Sequence, residues 1–389
     1  MLKKQLLLFT TALLLSSGTK ANMPTVEELR INDAQQAIPT VVNTFSNNIK
    51  KFKEQWLKTI NFEQAQQLIR TLSYQLWVDA KHQVLTSQLV DDRPLYWARL
   101  QMSQAICSTK PTFELSQTEL TALLHELDQG SRGRTELSYT KDTQKKILIT
   151  GFDPFLLDKN INQSNPSGIA ALMLDGQVIN YKGISAEINT VMVPVTYASF
   201  DNGTIESLLA PYYALNNVDM IVTVSMGRKA FDLERFPGKR RSVNAPDNLN
   251  VLSGGIKTNP IIPKLHNIPL PGAEFVESSL PIAAMQKATG DYKVIDNHQV
   301  TILNKAQENI TFKPESYAEL TNHIAVKGSG GGYLSNEISY RSIRLRNKLN
   351  STIPTGHIHT PRIQQYEPET EKKIVMQIRK MLEMSLTDI

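Results

Sequence analysis

The run Met220-Ile221-Val222-Thr223-Val224-Ser225-Met226 is short and almost wholly apolar, which marks a strand buried on both faces. Lys146-Ile147-Leu148-Ile149-Thr150 and Thr190-Val191-Met192-Val193-Pro194-Val195 share its character, and helix-like stretches at 168–174 and 205–215 lie between the runs. This alternation predicts an α/β fold of three α/β/α layers around a twisted, mostly parallel sheet. In such sheets the working residues lie beyond the carboxyl ends of the strands, so the loops opening at Gly151, Gly227 and Gly328 are expected to converge.

The pattern starts only near residue 144. Residues 22–143 read instead as helical, with Val42, Phe45, Ile49, Phe52, Trp56 and Ile60 at helical spacing and similar stretches at 62–77, 94–105 and 115–127. An α-helical accessory region therefore precedes an α/β domain over 144–389, whose segment 288–320 is polar and weakly patterned and reads as an insertion. A terminal amphipathic helix is expected at 370–384.

Ahead of both, Lys3 and Lys4 precede the apolar run 5–15, followed by small residues up to Ala21. This is the layout of a signal peptide over 1–21, and it predicts a protein exported to the periplasm or secreted. The run is too short to span a bilayer, so no membrane association is expected once the signal is cleaved. Cleavage after Ala21 removes Lys3, Lys4 and Lys20 and no acid, lowering the formal charge from +5 to +2. With so little excess charge no nucleic-acid partner is expected, and Lys239-Arg240-Arg241, the densest basic cluster, is read as a solvated loop. A homo-oligomer is compatible with the sequence. Cys107 is the single cysteine and is read as a small buried hydrophobe.

One stretch carries chemistry. Gly328-Ser329-Gly330-Gly331-Gly332-Tyr333-Leu334-Ser335 joins a strand-like run, 323–327, to a helix-like run, 336–347. A glycine-rich turn at a helix start leaves backbone N–H groups free to stabilise an oxyanion. Ser335 there is either a nucleophile or a helix cap.

From Lys146 onward the chain resembles the pyroglutamyl peptidase I (pyrrolidone-carboxylate peptidase) family of cysteine peptidases, which remove N-terminal pyroglutamate from peptides. The motifs carrying the likeness are Ile147-Leu148-Ile149-Thr150-Gly151-Phe152-Asp153-Pro154-Phe155, Asn165-Pro166-Ser167, the Arg228 to Glu234-Arg235 spacing, Pro246-Asp247-Asn248, Ser279-Leu280-Pro281-Ile282, Gly331 to Asn336, and Ile358-His359-Thr360-Pro361. The resemblance implies a phosphorylase/hydrolase-like α/β fold with Glu234 as acid, His359 as base and Ser335 at the nucleophile position. The family has Cys where this chain has Ser335, Arg at Asn244 and His at Glu337. Its glycine-rich loop, with the glutamine that helps hold the lactam, shrinks to Ser225-Met226-Gly227.

On this likeness the expected substrate is a peptide with a pyroglutamyl N-terminus. Phe152, Phe155, Tyr333, Leu334 and Gly227 would form its binding site, and Gly332, Ser335 and Asn244 the oxyanion site. A serine needs a base for its proton, which His359 oriented by Glu234 would supply, without metal or cofactor. His357 and His359 alternate along a strand and face one side, but a metal site would need a third ligand. An inactive protein that binds peptide ends, and a hydrolase of shifted substrate, are the alternative readings.

Overall fold

The computed structural model describes residues 23–87, 90–135 and 137–389. The expected signal peptide lies outside the described residues. Among the described residues the N-terminal region comprises α1 (Val26–Ala37), α2 (Pro39–Val42), α3 (Ser46–Trp56), α4 (Phe62–Thr86), α5 (Arg93–Ser108) and α6 (Gln117–Ser131). Thr25 and Ser116 close full capping boxes with Glu28 and Glu119, which fixes where α1 and α6 begin. Phe52, Trp56, Ile69, Leu76, Trp77 and Leu123 interlock in a core that also takes in Ala171, Leu172 and Met192 of the following domain.

That domain opens with β1 (Lys145–Phe152) and α7 (Pro166–Leu174), then β2 (Gln177–Tyr181), β3 (Ile184–Val193), α8 (Tyr197–Asp201), α9 (Thr204–Leu215), β4 (Met220–Met226) and β5 (Phe231–Glu234). A small hairpin, β6 (Lys264–Leu265) and β7 (Ile268–Pro269), and α10 (Ile282–Met285) follow. Next come β8 (Val294–Asn297), β9 (Val300–Leu303), β10 (Asn309–Phe312) and β11 (Ile324–Lys327), then α11 (Leu334–Lys348), β12 (Thr355–Thr360) and α12 (Pro368–Ser385).

The main sheet has the order β2-β3-β1-β4-β12-β5-β8. Its centre, β3-β1-β4-β12, is parallel, while β2 pairs antiparallel with β3 and β5 antiparallel with β12. Side chains alternate between faces. Ile147 and Ile149 join the core under α7 and α12, whereas Leu148 joins that under α9 and α11. The expected three layers are therefore present.

Segment 288–320, read as an insertion, is built into the sheets. There β8 extends the main sheet beside β5, and β9 pairs with both β10 and β11. The strand before the glycine-rich turn, β11, therefore sits in this small antiparallel sheet and not in the main one. Alternating polar residues hid the segment, because one face of the small sheet covers Phe236 and Phe275 and the other is wet. The basic cluster differs too. Lys239 and Arg240 pair with Glu274 at 3.4 and 2.8 Å, and buried Arg241 pairs with Glu337 at 2.6 Å and Asp201 at 2.8 Å. These carboxylates are remote in sequence, so composition could not reveal them. Cys107 is half-buried, and burial pushes its thiol up to about 11, as expected of an unreactive side chain.

Candidate active site

The parallel pairing of β12 with β4 sets His357 beside Thr223 and His359 beside Ser225. Both imidazoles point to the same face of the strand, with ring centroids 4.7 Å apart. Their partners differ. His357 is held by Thr223 Oγ1 at 2.7 Å and Ser225 Oγ at 2.8 Å. Burial, and then its neighbour His359, keep His357 well below the usual imidazole range, so it stays neutral. His359 instead places Nδ1 2.5 Å from Glu234 Oε1.

Glu234 ends β5 and is completely buried. Its second oxygen accepts from Asn297 Nδ2 at 3.0 Å, and the same amide group donates to the Ser329 carbonyl at 3.0 Å. Asn297 thus fixes the carboxylate and ties the glycine-rich loop to it. Sequence reasoning missed Asn297, which lies inside the segment read as an insertion. Arg235, next to Glu234, turns outward to Asp296 at 2.6 Å.

Ser335 lies in the first turn of α11. Asn336 positions this turn: its side chain accepts from the Gly238 N–H at 3.0 Å and donates to the Gly238 carbonyl at 2.6 Å. The N–H groups of Asn336 and Glu337 bond the Tyr333 carbonyl, while those of Leu334 and Ser335 make no hydrogen bond among the described residues. That is the donor arrangement an oxyanion needs. Ser335 Oγ donates to the Gly330 carbonyl at a long 3.4 Å. No hydrogen bond joins it to His359 among the described residues. Both side chains nevertheless border one cavity, and Gly330 abuts both, since a Cβ built on it would lie 3.5 Å from His359 Cε1.

Two spaces meet at Ser335 and Met226. One is a narrow cleft of about 40 Å³ walled by Phe152, Phe155, Val195, Tyr333 and Leu334. Tyr333 is braced by a bond from its hydroxyl to the Pro246 carbonyl at 2.8 Å and by edge contact with Tyr197. The other is a more polar cavity that holds Gly227, Lys327 and His359. Gly227 packs so closely that a Cβ there would sit 2.6 Å from His359 Cβ. Gly332 lies under Ser242, whose N–H bonds its carbonyl at 3.0 Å.

Asn244 is exposed and lines neither space. At Glu337 the chain has a buried carboxylate clamped by Arg241 and Arg341. Burial alone would raise its pKa, and the two guanidiniums outweigh that and hold it down. The nearby arginine is therefore committed to α11 and not to substrate. Among the described residues no group of three or more His, Cys, Asp or Glu side chains has metal-ligand geometry, and no helix is long and apolar enough to cross a membrane.

The accessory helices reach this site through two buried carboxylates. Asp153, between Phe152 and Pro154 in the loop after β1, is buried against Arg99 at 2.9 Å and Arg132 at 2.6 Å. Asp92 of the same region accepts from the N–H of Asn165, which also faces the aromatic cleft.

A family model described as the PA0049 N-terminal domain matches residues 12–128, and one described as the PA0049 C-terminal domain matches 146–269 and 288–364. The second spans 288–320 without a break, in keeping with the place of that segment in the sheets. Uncharacterized protein PA0049 of Pseudomonas aeruginosa is 26% identical, over 71% of this chain and 64% of that protein, so this chain spans less than two thirds of its length. Pyrrolidone-carboxylate peptidase of Enterococcus faecalis is 25% identical, over 56% of this chain and 78% of its own. Among solved structures, a mutant pyrrolidone carboxyl peptidase of Pyrococcus furiosus is 20% identical with a TM-score of 0.43, covering 62% of this chain and 99% of that one. Bacillus amyloliquefaciens pyroglutamyl peptidase I is 19% identical with a TM-score of 0.41, over 63% and 98%.

Proposed function

This chain belongs to the PA0049 family, and on that premise we propose that it is an exported hydrolase removing N-terminal pyroglutamate from peptides through Ser335, His359 and Glu234. The observation that carries the reading is the buried Glu234–His359 hydrogen bond opening onto the cavity that Ser335 shares. The Enterococcus faecalis peptidase supplies the substrate class by its name.

In this reading the pyroglutamyl ring lies against Phe152, Phe155 and Tyr333, with its carbonyl at Ser335. Ser335 Oγ leaves the Gly330 carbonyl, a weak bond whose loss costs about 1 kcal/mol. It gives its proton to His359 Nε2 and attacks the carbonyl carbon. Glu234 holds the imidazole by Nδ1 and stabilises the imidazolium. The Leu334 and Ser335 amides receive the oxyanion. His359 protonates the leaving amine, and water then hydrolyses the acyl-serine by the same proton route in reverse. Serine suits an oxidising compartment, because a low-pKa thiolate there is readily oxidised.

Purified protein is expected to release the fluorophore from a pyroglutamyl amide, with Ser335→Ala inactive. Equal rates in the two proteins would take Ser335 out of the mechanism. Ser335→Cys is expected to accelerate the reaction, a thiol needing less help from its base. Export is tested by N-terminal sequencing of the mature protein, where an intact Met1 would refute it. The bond from Ser335 to Gly330 instead of His359 favours a second reading, a protein that binds pyroglutamyl ends without turnover. Calorimetry showing such binding alongside no hydrolysis would select it.

A further inference from the structure

The two spaces that meet at Ser335 differ in charge. No side chain lining the aromatic cleft is ionisable apart from the Tyr333 phenol, which burial holds neutral. The second cavity, of about 360 Å³, is lined by Lys327 and Arg228 and by no carboxylate. Its far wall is the small antiparallel sheet, which contributes Thr301, Thr311 and Lys327, with Gln299 just before β9.

Lys327 is half-buried, and its ammonium makes no hydrogen bond or ion pair among the described residues. Arg228 on the same rim is partly neutralised by Asp232 at 3.3 Å. Burial, then Lys257 and Arg228, lower the Lys327 pKa, as expected of a cation among cations with no anion at hand. A half-buried unpaired ammonium facing a cavity is an anion site lacking its anion.

Resting on the reading that Ser335 marks the scissile carbonyl, we infer that this cavity is the leaving-group site, and that Lys327 selects pyroglutamyl substrates carrying a carboxylate immediately beyond the scissile bond. With the ring lying against the aromatic walls of the narrow neutral cleft, the departing residue enters the wider cationic cavity. Two sources offer that carboxylate: the free C-terminus of a pyroglutamyl dipeptide, or an Asp or Glu side chain following the ring.

Three peptides separate these cases: pyroglutamyl-alanine, its C-terminal amide, and pyroglutamyl-glutamate amide. Turnover and calorimetric binding are measured for each with the full protein, with Lys327→Met and with Lys327→Arg. At least one carboxylate peptide is expected to exceed the amide about tenfold in kcat/KM or affinity, the scale of a charge-assisted hydrogen bond. Which one identifies the source. The ratio should fall towards one in Lys327→Met and return in Lys327→Arg, a rescue that general misfolding would not give. Equal values for all three peptides in the unaltered protein overturn this inference and leave the peptidase reading standing. Carboxylate-selective binding with no turnover overturns the peptidase reading alone. No binding of any peptide overturns both.

Discussion

Replacing Asp153 with Asn tests what the accessory helices contribute. Asp153 is buried between Arg99 and Arg132, and the second contact is an ion pair without a hydrogen bond. Arg132 has another acid, Asp128 at 2.5 Å, but Arg99 has no other ion-pair partner among the described residues. Asp153→Asn therefore leaves the buried Arg99 guanidinium facing a neutral amide. Breaking a buried pair on one side costs about 3–5 kcal/mol, because the remaining charge stays desolvated. Chemical denaturation followed by far-UV circular dichroism measures the loss. The double change Arg99→Met with Asp153→Asn should recover a good part of it, since the stranded cation is gone. Phe152 and Phe155 flank Asp153 in the loop, so KM for a pyroglutamyl amide should rise in the single variant more than kcat falls. A loss below about 1 kcal/mol, the level of a surface pair, would refute the claim that this carboxylate ties the accessory helices to the cleft.

Glu234→Gln should cut kcat by about 10²–10⁴-fold with little change in KM. If its oxygen faces His359, its NH₂ opposes the Asn297 Nδ2 donor, and if it flips, His359 takes the wrong tautomer. A rate within threefold of the unaltered protein would take Glu234 out of the mechanism. Gly227→Ala should abolish turnover while the fold survives, because the new methyl would lie 2.6 Å from His359 Cβ and displace the imidazole. Unchanged activity would show that the imidazole position is not critical. Burial pushes the Glu371 carboxyl, which is paired with Ser164, up from 4.5 to about 8. The folded protein then binds the proton more tightly than the unfolded chain, so this group's contribution is full below about 4.5 and is lost as pH rises through about 8. Unfolding free energies at pH 6 and pH 9 should show the decline, and Glu371→Gln should flatten it; an equal slope in both proteins would refute the assignment.

Much of the layout was legible in the sequence. The run 220–226 emerges as β4 at those bounds, and 205–215 as α9 to within one residue. Both are encoded by local apolar spacing, which neighbouring residues alone determine. Glu234, Ser335 and His359 were legible only as motifs, through resemblance. Their geometry was not: the Glu234–His359 bond crosses 125 residues, and Asn297 reaches Glu234 across 63. Asn244 was named by alignment position, yet it faces solvent, while Arg241, dismissed as part of a solvated cluster, is buried in ion pairs.

By itself the sequence determined the kinds of element and their order, because a strand or helix needs only a local period of apolar side chains to be specified. Only the tertiary structure decided which strand received segment 288–320, where the lysine of β11 points its charge, and that Ser335 turns to Gly330 while sharing a cavity with His359. Those outcomes depend on which distant surfaces pack together, and a burial pattern says that a face is covered without saying by what.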